Sequence, residues 1–240
     1  MSWMYRAGRV ATRLCLTVFG RFEVTGQECV PPYGPLIIVS NHLSYNDPSV
    51  LFVGLPRPLS YLGKVELFSN PIKRTIMGWV SVFPLDRTTT GVDGIRTALN
   101  LLAQDRALVI FPEGRISLDK SLERAKGGAA FIAIKSQAPI LPVAISGTEK
   151  FSPWRMLFPF RRYRITIGPP FTPPVLEGRI GREAINGVSD MMMNRIAVLL
   201  PEEYRGVYAL TQRGGRHTPA DAAPATEAPA TEAPATEAPD

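Results

Sequence analysis

The stretch Ser40-Asn41-His42-Leu43-Ser44-Tyr45-Asn46-Asp47-Pro48 holds the only histidine ahead of His217. Asp47 follows His42 by five positions. Imidazole beside carboxylate is the pairing from which general bases are built, because the acid fixes the ring tautomer and stabilises the imidazolium. The same residues have a plainer use. Asp47 before Pro48 is a good helix start, with the acid as N-cap and the proline at the first helical position. Asn41, Ser44 and Asn46 are ordinary turn formers. From these nine residues alone both readings stand. On a continuous helix, positions five apart lie about 140° apart around the axis, and on a continuous strand they face opposite sides. Only a strand–turn–helix break brings the ring and the acid together.

The rest of the chain narrows what such a pair would act on. There is no G-x-S-x-G elbow, and Cys15 and Cys29 lie outside the expected sheet, so no protein nucleophile is evident. The base would deprotonate a substrate hydroxyl or a water. A single histidine among scattered carboxylates is not a recognisable metal-ligand set. Neither a Walker loop nor a G-x-G-x-x-G follows any strand. Three further polar clusters mark strand ends: Asp86-Arg87 after VFPL, Glu113-Gly114 after ALVIF, and the prolines of APILPVAIS. Singly, each reads as a surface ion pair, a turn, or a proline-marked edge strand.

The elements that must position these residues alternate. LIIVS (36–40), SYLGK (60–64), SVFPLDR (81–87), ALVIF (107–111), PILPVAIS (139–146) and YRITIGPPF (163–171) read as strands. PSVLFVGL (48–55), ELFSNPIKRTIMGWV (66–80), GVDGIRTALNLLAQD (91–105), GGAAFIAIKSQ (127–137) and Glu183 to Leu200 read as helices. That alternation predicts an α/β single domain with a largely parallel central sheet flanked by helices. His42 would then leave the carboxyl end of a strand, where open α/β sheets place their ligands.

Residues 3–20 read as an amphipathic helix. Met4, Ala7, Val10, Ala11, Leu14 and Val18 form one face and Arg6, Arg9 and Arg13 another. This suits a helix lying in a membrane surface or a terminal helix packed on the core. The expected organisation is residues 1–24 as an N-terminal amphipathic membrane helix, 25–205 as the catalytic domain, and 206–240 as a disordered tail of APATE repeats. That tail lacks Lys and Arg from Thr218 onward. The preceding 217 residues hold all 27 basic and 16 of the 21 acidic residues, a net of +11. A body so basic suits an anionic membrane, nucleic acid or a phosphorylated partner. In FSPWRMLFPFRRYR (151–164), aromatic residues alternate with arginines, as in a loop entering a headgroup layer or one packed on the core with solvated arginines. Nucleic acid would also explain it, but no binding motif accompanies it. The two cysteines form no disulfide framework, which favours a reducing compartment.

Taken in order, the motifs resemble the glycerophospholipid acyltransferase family. Its N-H-x4-D block is met by Asn41, His42 and Asp47. Its glycine followed by hydrophobic-Asp-Arg is met by Gly78 and Leu85-Asp86-Arg87. F-P-E-G is met by Phe111 to Gly114, and the proline-containing strand by Pro139 to Val143. Lys126 before Gly127-Gly128 also fits. The resemblance implies that His42 is the general base on a lysophospholipid hydroxyl, 1-acylglycerol-3-phosphate above all, and that Asp47 holds its ring. Arg87 would clamp the acceptor phosphate, and Glu113, Gly114, Arg115 and Lys126 would shape or line that pocket. The family's Thr-Arg after F-P-E-G is here Arg115-Ile116, which shifts the arginine by one position. The resemblance further implies no bound cofactor and no metal, acyl-CoA or acyl carrier protein as co-substrate, and a monotopic place on the cytoplasmic face of the cell membrane. A hydrolase using the same pair on water and a non-catalytic lipid-binding protein are the rivals.

Overall fold

The computed structural model describes residues 3–18, 21–71, 74–75, 82–85, 92–150, 162–176 and 178–212. LIIVS forms the strand β2 (Leu36–Ser40), buried along its whole length. Ile37 and Val39 enter the core on one side of the sheet, Leu36 and Ile38 the core on the other. A strand apolar on both faces has a place only inside a covered sheet, and each such side chain contributes about 1.5–3 kcal/mol on burial. Parallel neighbours flank it: β5 (Ala107–Ile110) on one side and β6 (Ile140–Ser146) on the other. Beyond β5 lie β3 (Leu59–Lys64) and then β4 (Val82–Leu85), also parallel. The opposite flank reverses. There β7 (Arg162–Ile167) runs antiparallel to β6, and β1 (Arg21–Thr25) pairs in parallel with β7. The order is β1-β7-β6-β2-β5-β3-β4.

Two helices, α1 (Trp3–Val18) and α2 (Asp47–Gly54), cover the face carrying Leu36 and Ile38. The other face is covered by α3 (Val92–Ala103), α4 (Gly128–Ser136) and α5 (Arg182–Leu199). The largely parallel, helix-flanked sheet is thus as the alternation predicts. Residues 151–161, with most of the aromatic and basic stretch, and the APATE repeats lie outside the described residues.

Both ends of the catalytic domain reach further than the sequence reading placed them. Residues 21–24, assigned to the N-terminal helix region, belong to β1. They form a half-exposed edge strand whose ladder partner is 141 residues away, from Arg21 opposite Arg162 to Thr25 opposite Thr166. Residues 206–212, assigned to the tail, form a 3-10 segment packed against α5, with Tyr208 buried in the core on that face of the sheet. Buried Tyr208 ties this short segment, GVYALTQ, to the domain rather than to the tail.

Helix α1 forms as expected, and it packs on the domain through the side opposite its apolar stripe. Tyr5 is buried, stacks edge-on against Phe52 with centroids 4.8 Å apart, and its hydroxyl accepts the Leu59 amide at 3.1 Å. Arg9 donates to the Val53 carbonyl at 3.2 Å. Ala7, Val10, Ala11 and Leu14, the apolar stripe, face outward, with Val10 68% and Leu14 62% exposed. No helix among the described residues is long and apolar enough to cross a membrane.

Two polar residues close the two ends of the sheet. At the amino ends of the strands, buried Arg57 donates to the carbonyls of Pro31, Gly34 and Asp105 at 2.9, 2.7 and 3.2 Å. At the carboxyl end, Asn41 follows β2 and clamps β6. Its amide donates to the Ile145 carbonyl at 2.9 Å and its oxygen accepts the Ile145 N–H at 2.8 Å. The side chain thereby supplies the strand-like pairing that β2 gives up as the chain turns toward His42.

Candidate active site

The strand–turn–helix break between β2 and α2 brings the pair together: His42 Nδ1 lies 2.8 Å from Asp47 Oδ2. The chain turns there because Asp47 organises the turn itself. Oδ2 also accepts the amides of Leu43 at 2.6 Å and Ser44 at 2.8 Å. This corrects the expected N-cap. The helix is preceded by Asn46, which makes no side-chain cap bond, and the carboxylate of Asp47 reaches backward into the turn. Pro48 at the start of α2 needs no amide partner there. A carboxylate oxygen that already accepts two amides has only acceptor capacity left, so Nδ1 carries the ring proton and donates it.

Every other part of His42 is held as well. Its ring stacks on Phe111, centroids 4.0 Å apart and planes 16° from parallel. Its N–H donates to Glu113 Oε1 at 3.1 Å, and its carbonyl accepts the Ser117 amide at 2.8 Å. Asp47 is fully buried while the histidine side chain is 16% exposed. What remains is Nε2, turned away from Asp47. The arrangement can take a proton at that nitrogen and keep the resulting imidazolium paired.

Glu113 and Gly114 sit in the loop leaving β5, beside β2. Glu113 is buried and both of its oxygens accept backbone amides, Oε1 that of His42 and Oε2 that of Glu123 at 3.0 Å. In the structure it anchors the backbone behind His42. Burial pushes its pKa up to about 7 against the two amide bonds, which lower it. A raised folded-state pKa stabilises the fold at low pH, and that contribution is lost as pH rises through about 7. Between pH 5 and pH 8 the wild type should therefore lose roughly 2–3 kcal/mol relative to Glu113→Gln, at about 1.4 kcal/mol per tenfold in proton affinity. Urea unfolding of both proteins at the two pH values measures this, and parallel pH trends would refute the assignment.

Gly114 has a φ of +69°, and the Lys126 side chain crosses it so closely that a Cβ would meet its Cδ at 3.0 Å and its Nζ at 3.2 Å. Lys126 also donates its amide to Pro112 at 2.8 Å. The loop thus brings one ammonium group over the F-P-E-G turn. Arg115, shifted by one position, pairs instead with Glu123, Nε at 2.8 Å and a terminal nitrogen at 2.7 Å from Oε2. Arg87 lies outside the described residues; β4 is described as far as Leu85.

The structure therefore gathers His42, Asp47, Glu113, Gly114 and Lys126, with Arg115 turned toward Glu123. Sequence reasoning matched Asn41 and Phe111 to family blocks, and read Asn41 as a turn former, without foreseeing the clamp on β6 or the stacking on His42; it gave Ser117 and Glu123 no role. Among the described residues no three His, Cys, Asp or Glu side chains gather as a metal site.

Comparison with known proteins bears on the family and the fold. A family model described as Acyltransferase matches residues 21–146. A 1-acyl-sn-glycerol-3-phosphate acyltransferase of Bacillus subtilis (strain 168) is 30% identical over 198 residues, spanning 82% of this chain and 96% of that protein. A human protein named 1-acyl-sn-glycerol-3-phosphate acyltransferase alpha is 33% identical over 55% of this chain, which spans about half (47%) of its length. A Brassica napus chloroplastic 1-acyl-sn-glycerol-3-phosphate acyltransferase is 31% identical over 56% of this chain and 40% of its own. The fold is shared with the crystal structure of the 1-acyl-sn-glycerophosphate acyltransferase PlsC from Thermotoga maritima, at a TM-score of 0.63 and 24% identity over 89% of this chain and 80% of that one. With its histidine–aspartate pair at the carboxyl edge of such a sheet, the chain belongs to the acyltransferase family and is a transferase.

Proposed function

We propose that this enzyme transfers an acyl group from acyl-CoA or acyl carrier protein to the free hydroxyl of 1-acylglycerol-3-phosphate, giving phosphatidic acid for phospholipid synthesis. The observation that carries the proposal is the 2.8 Å contact between His42 Nδ1 and buried Asp47, with Nε2 left to face a substrate. Nε2 takes the proton of the acceptor hydroxyl as its oxygen attacks the thioester carbonyl carbon. The tetrahedral centre then collapses with cleavage of the C–S bond, and the imidazolium returns the proton to the departing thiolate. Ester and thiol are the products, with no acyl-enzyme. His42 and Asp47 are the catalytic pair. Lys126 at the Gly114 turn and Arg115 beside it supply cationic groups for the acceptor phosphate. Arg87 remains a sequence-based candidate for the same task. No bound cofactor or metal is invoked.

We further place the enzyme as a monotopic protein on the cytoplasmic membrane face. The support is α1: its polar side grips α2 while Val10 and Leu14 face outward, beside exposed Arg6 and Arg13. An interfacial helix needs just that orientation. On the site loops, Tyr45 and Leu118 are likewise 90% and 74% exposed.

The test supplies purified full-length protein with labelled acyl-CoA, or labelled acyl carrier protein, and a panel of lysophospholipids in anionic vesicles. Labelled phosphatidic acid formed only with the glycerol-phosphate acceptor is the expected result. A preference for another lysolipid would replace the acceptor. Labelled fatty acid released regardless of acceptor would make the enzyme a hydrolase.

A further inference from the structure

The two backbone groups of His42 are traceable to a single residue of the loop after β5. From the His42 N–H the path runs through Glu113 to the Glu123 amide. From the His42 carbonyl it runs through the Ser117 amide, and the Ser117 hydroxyl then bonds Ser121, donating to its carbonyl at 2.7 Å and accepting its amide at 3.2 Å. Ser121 and Glu123 flank Leu122. That residue is buried, and both its own backbone groups are taken by the carboxy-terminal segment. Its N–H donates to the Tyr204 carbonyl at 2.8 Å, and its carbonyl accepts the Val207 N–H at 3.3 Å.

Between those two contacts lies Gly206, with a φ of +50°. A methyl group there would run into the Leu122 carbonyl oxygen and reach its nitrogen at 2.9 Å. These are backbone atoms, which have no side-chain freedom with which to retreat. The segment is fixed elsewhere. The Tyr204 hydroxyl donates to Glu149 Oε1 at 2.9 Å, and burial followed by the Glu149 carboxylate pushes its pKa up to about 12. Tyr208 is buried beyond it.

We infer that residues 202–212 are a positioning clasp for the active site. By holding Leu122, they set the height of both His42 backbone contacts and hence where Nε2 points. The inference rests on the proposed acyl transfer for its kinetic consequence, though not for its structural one. Gly206, Leu122 and Tyr204 touch no substrate and act through His42.

Gly206→Ala tests it against Gly178→Ala. Gly178 also has a positive φ, +85°, but a Cβ there would meet nothing within 4 Å, so this variant carries the backbone strain without displacing the clasp. Well below the unfolding temperatures, Gly206→Ala should lower kcat about tenfold while both KM values stay within about twofold, because misplacing a base affects the chemical step. Gly178→Ala should leave kcat unchanged. In NMR spectra, the His42 ring resonances, recognised by their absence from His42→Ala, should shift in Gly206→Ala and not in Gly178→Ala. A wild-type kcat in Gly206→Ala, an equal loss in Gly178→Ala, or unmoved His42 resonances would overturn the clasp. If Gly206→Ala does not fold, Tyr204→Phe, which cuts the anchor to Glu149, decides by the same readouts. A wild type that turns over no donor and acceptor sinks the proposed function instead, and the NMR comparison still judges the clasp.

Discussion

His42→Ala is expected to lower kcat by a factor on the order of 10²–10⁴, the usual worth of general-base assistance, with both KM values near those of wild type. The reason for the split is positional. Nε2 acts on a proton that moves only in the transition state, so its loss removes no ground-state binding. Fold and loop geometry should survive, because Glu113 and Ser117 hold the His42 backbone rather than its ring. Phe111 loses its stacking partner, 4.0 Å away, for a stability cost of about 1 kcal/mol. Steady-state kinetics beside a thermal melt separates the two effects. A residual rate within tenfold of wild type would mean that another group takes the proton and that His42 mainly shapes the turn.

Asp47→Asn should be damaging, yet less so than the loss of the histidine. The amides of Leu43 and Ser44 both donate to Oδ2, so the asparagine side chain must present its oxygen there. That oxygen also faces Nδ1, and the productive tautomer is kept. What disappears is the negative charge opposite the imidazolium. A kcat reduction of about a hundredfold follows, short of the roughly 10⁴ seen where an asparagine imposes the wrong tautomer. The amide nitrogen must then occupy the site of Oδ1, buried and without a hydrogen-bond partner among the described residues, which costs about 1–3 kcal/mol. Asp47→Ala differs in kind. It leaves two backbone N–H groups of the turn without an acceptor, so unfolding measurements should show a larger stability loss than for asparagine. If alanine and asparagine prove equally stable and equally slow, the carboxylate does not organise the turn.

How legible all this was in the sequence varies from residue to residue. The meeting of His42 and Asp47 could be read because two local signals agree, a run apolar on both faces ending at Ser40 and an Asp-Pro opening a helix. That the central strands run parallel follows from the alternation of strands and helices; their order, with β2 between β5 and β6, does not. Strand β1 left no such signal. RFEVT is short, half-exposed along its length and charged, and what makes it a strand is β7, far along the chain. Glu113 shows a different limit. Its position after β5 marks it as unusual, but residue type does not reveal where its two oxygens point. Its second partner is a backbone amide ten residues on, in an irregular loop. For α1 the periodicity found both faces and did not say which would be covered. The deciding contacts are those of Tyr5 and Arg9 with α2 and with the start of β3.

Arg57 separates two kinds of evolutionary change. It gathers three loop carbonyls at the amino ends of the strands, while the chemistry stands at the carboxyl ends. Between them lie the five residues of β2, about 16 Å at roughly 3.3 Å per residue. Substitutions that far apart combine nearly additively. Lineages adapting to heat or cold can therefore retune the Arg57 end without disturbing catalysis, while the loops around Gly114 and Arg115 change independently of it. An engineer has the same two handles and can turn them one at a time.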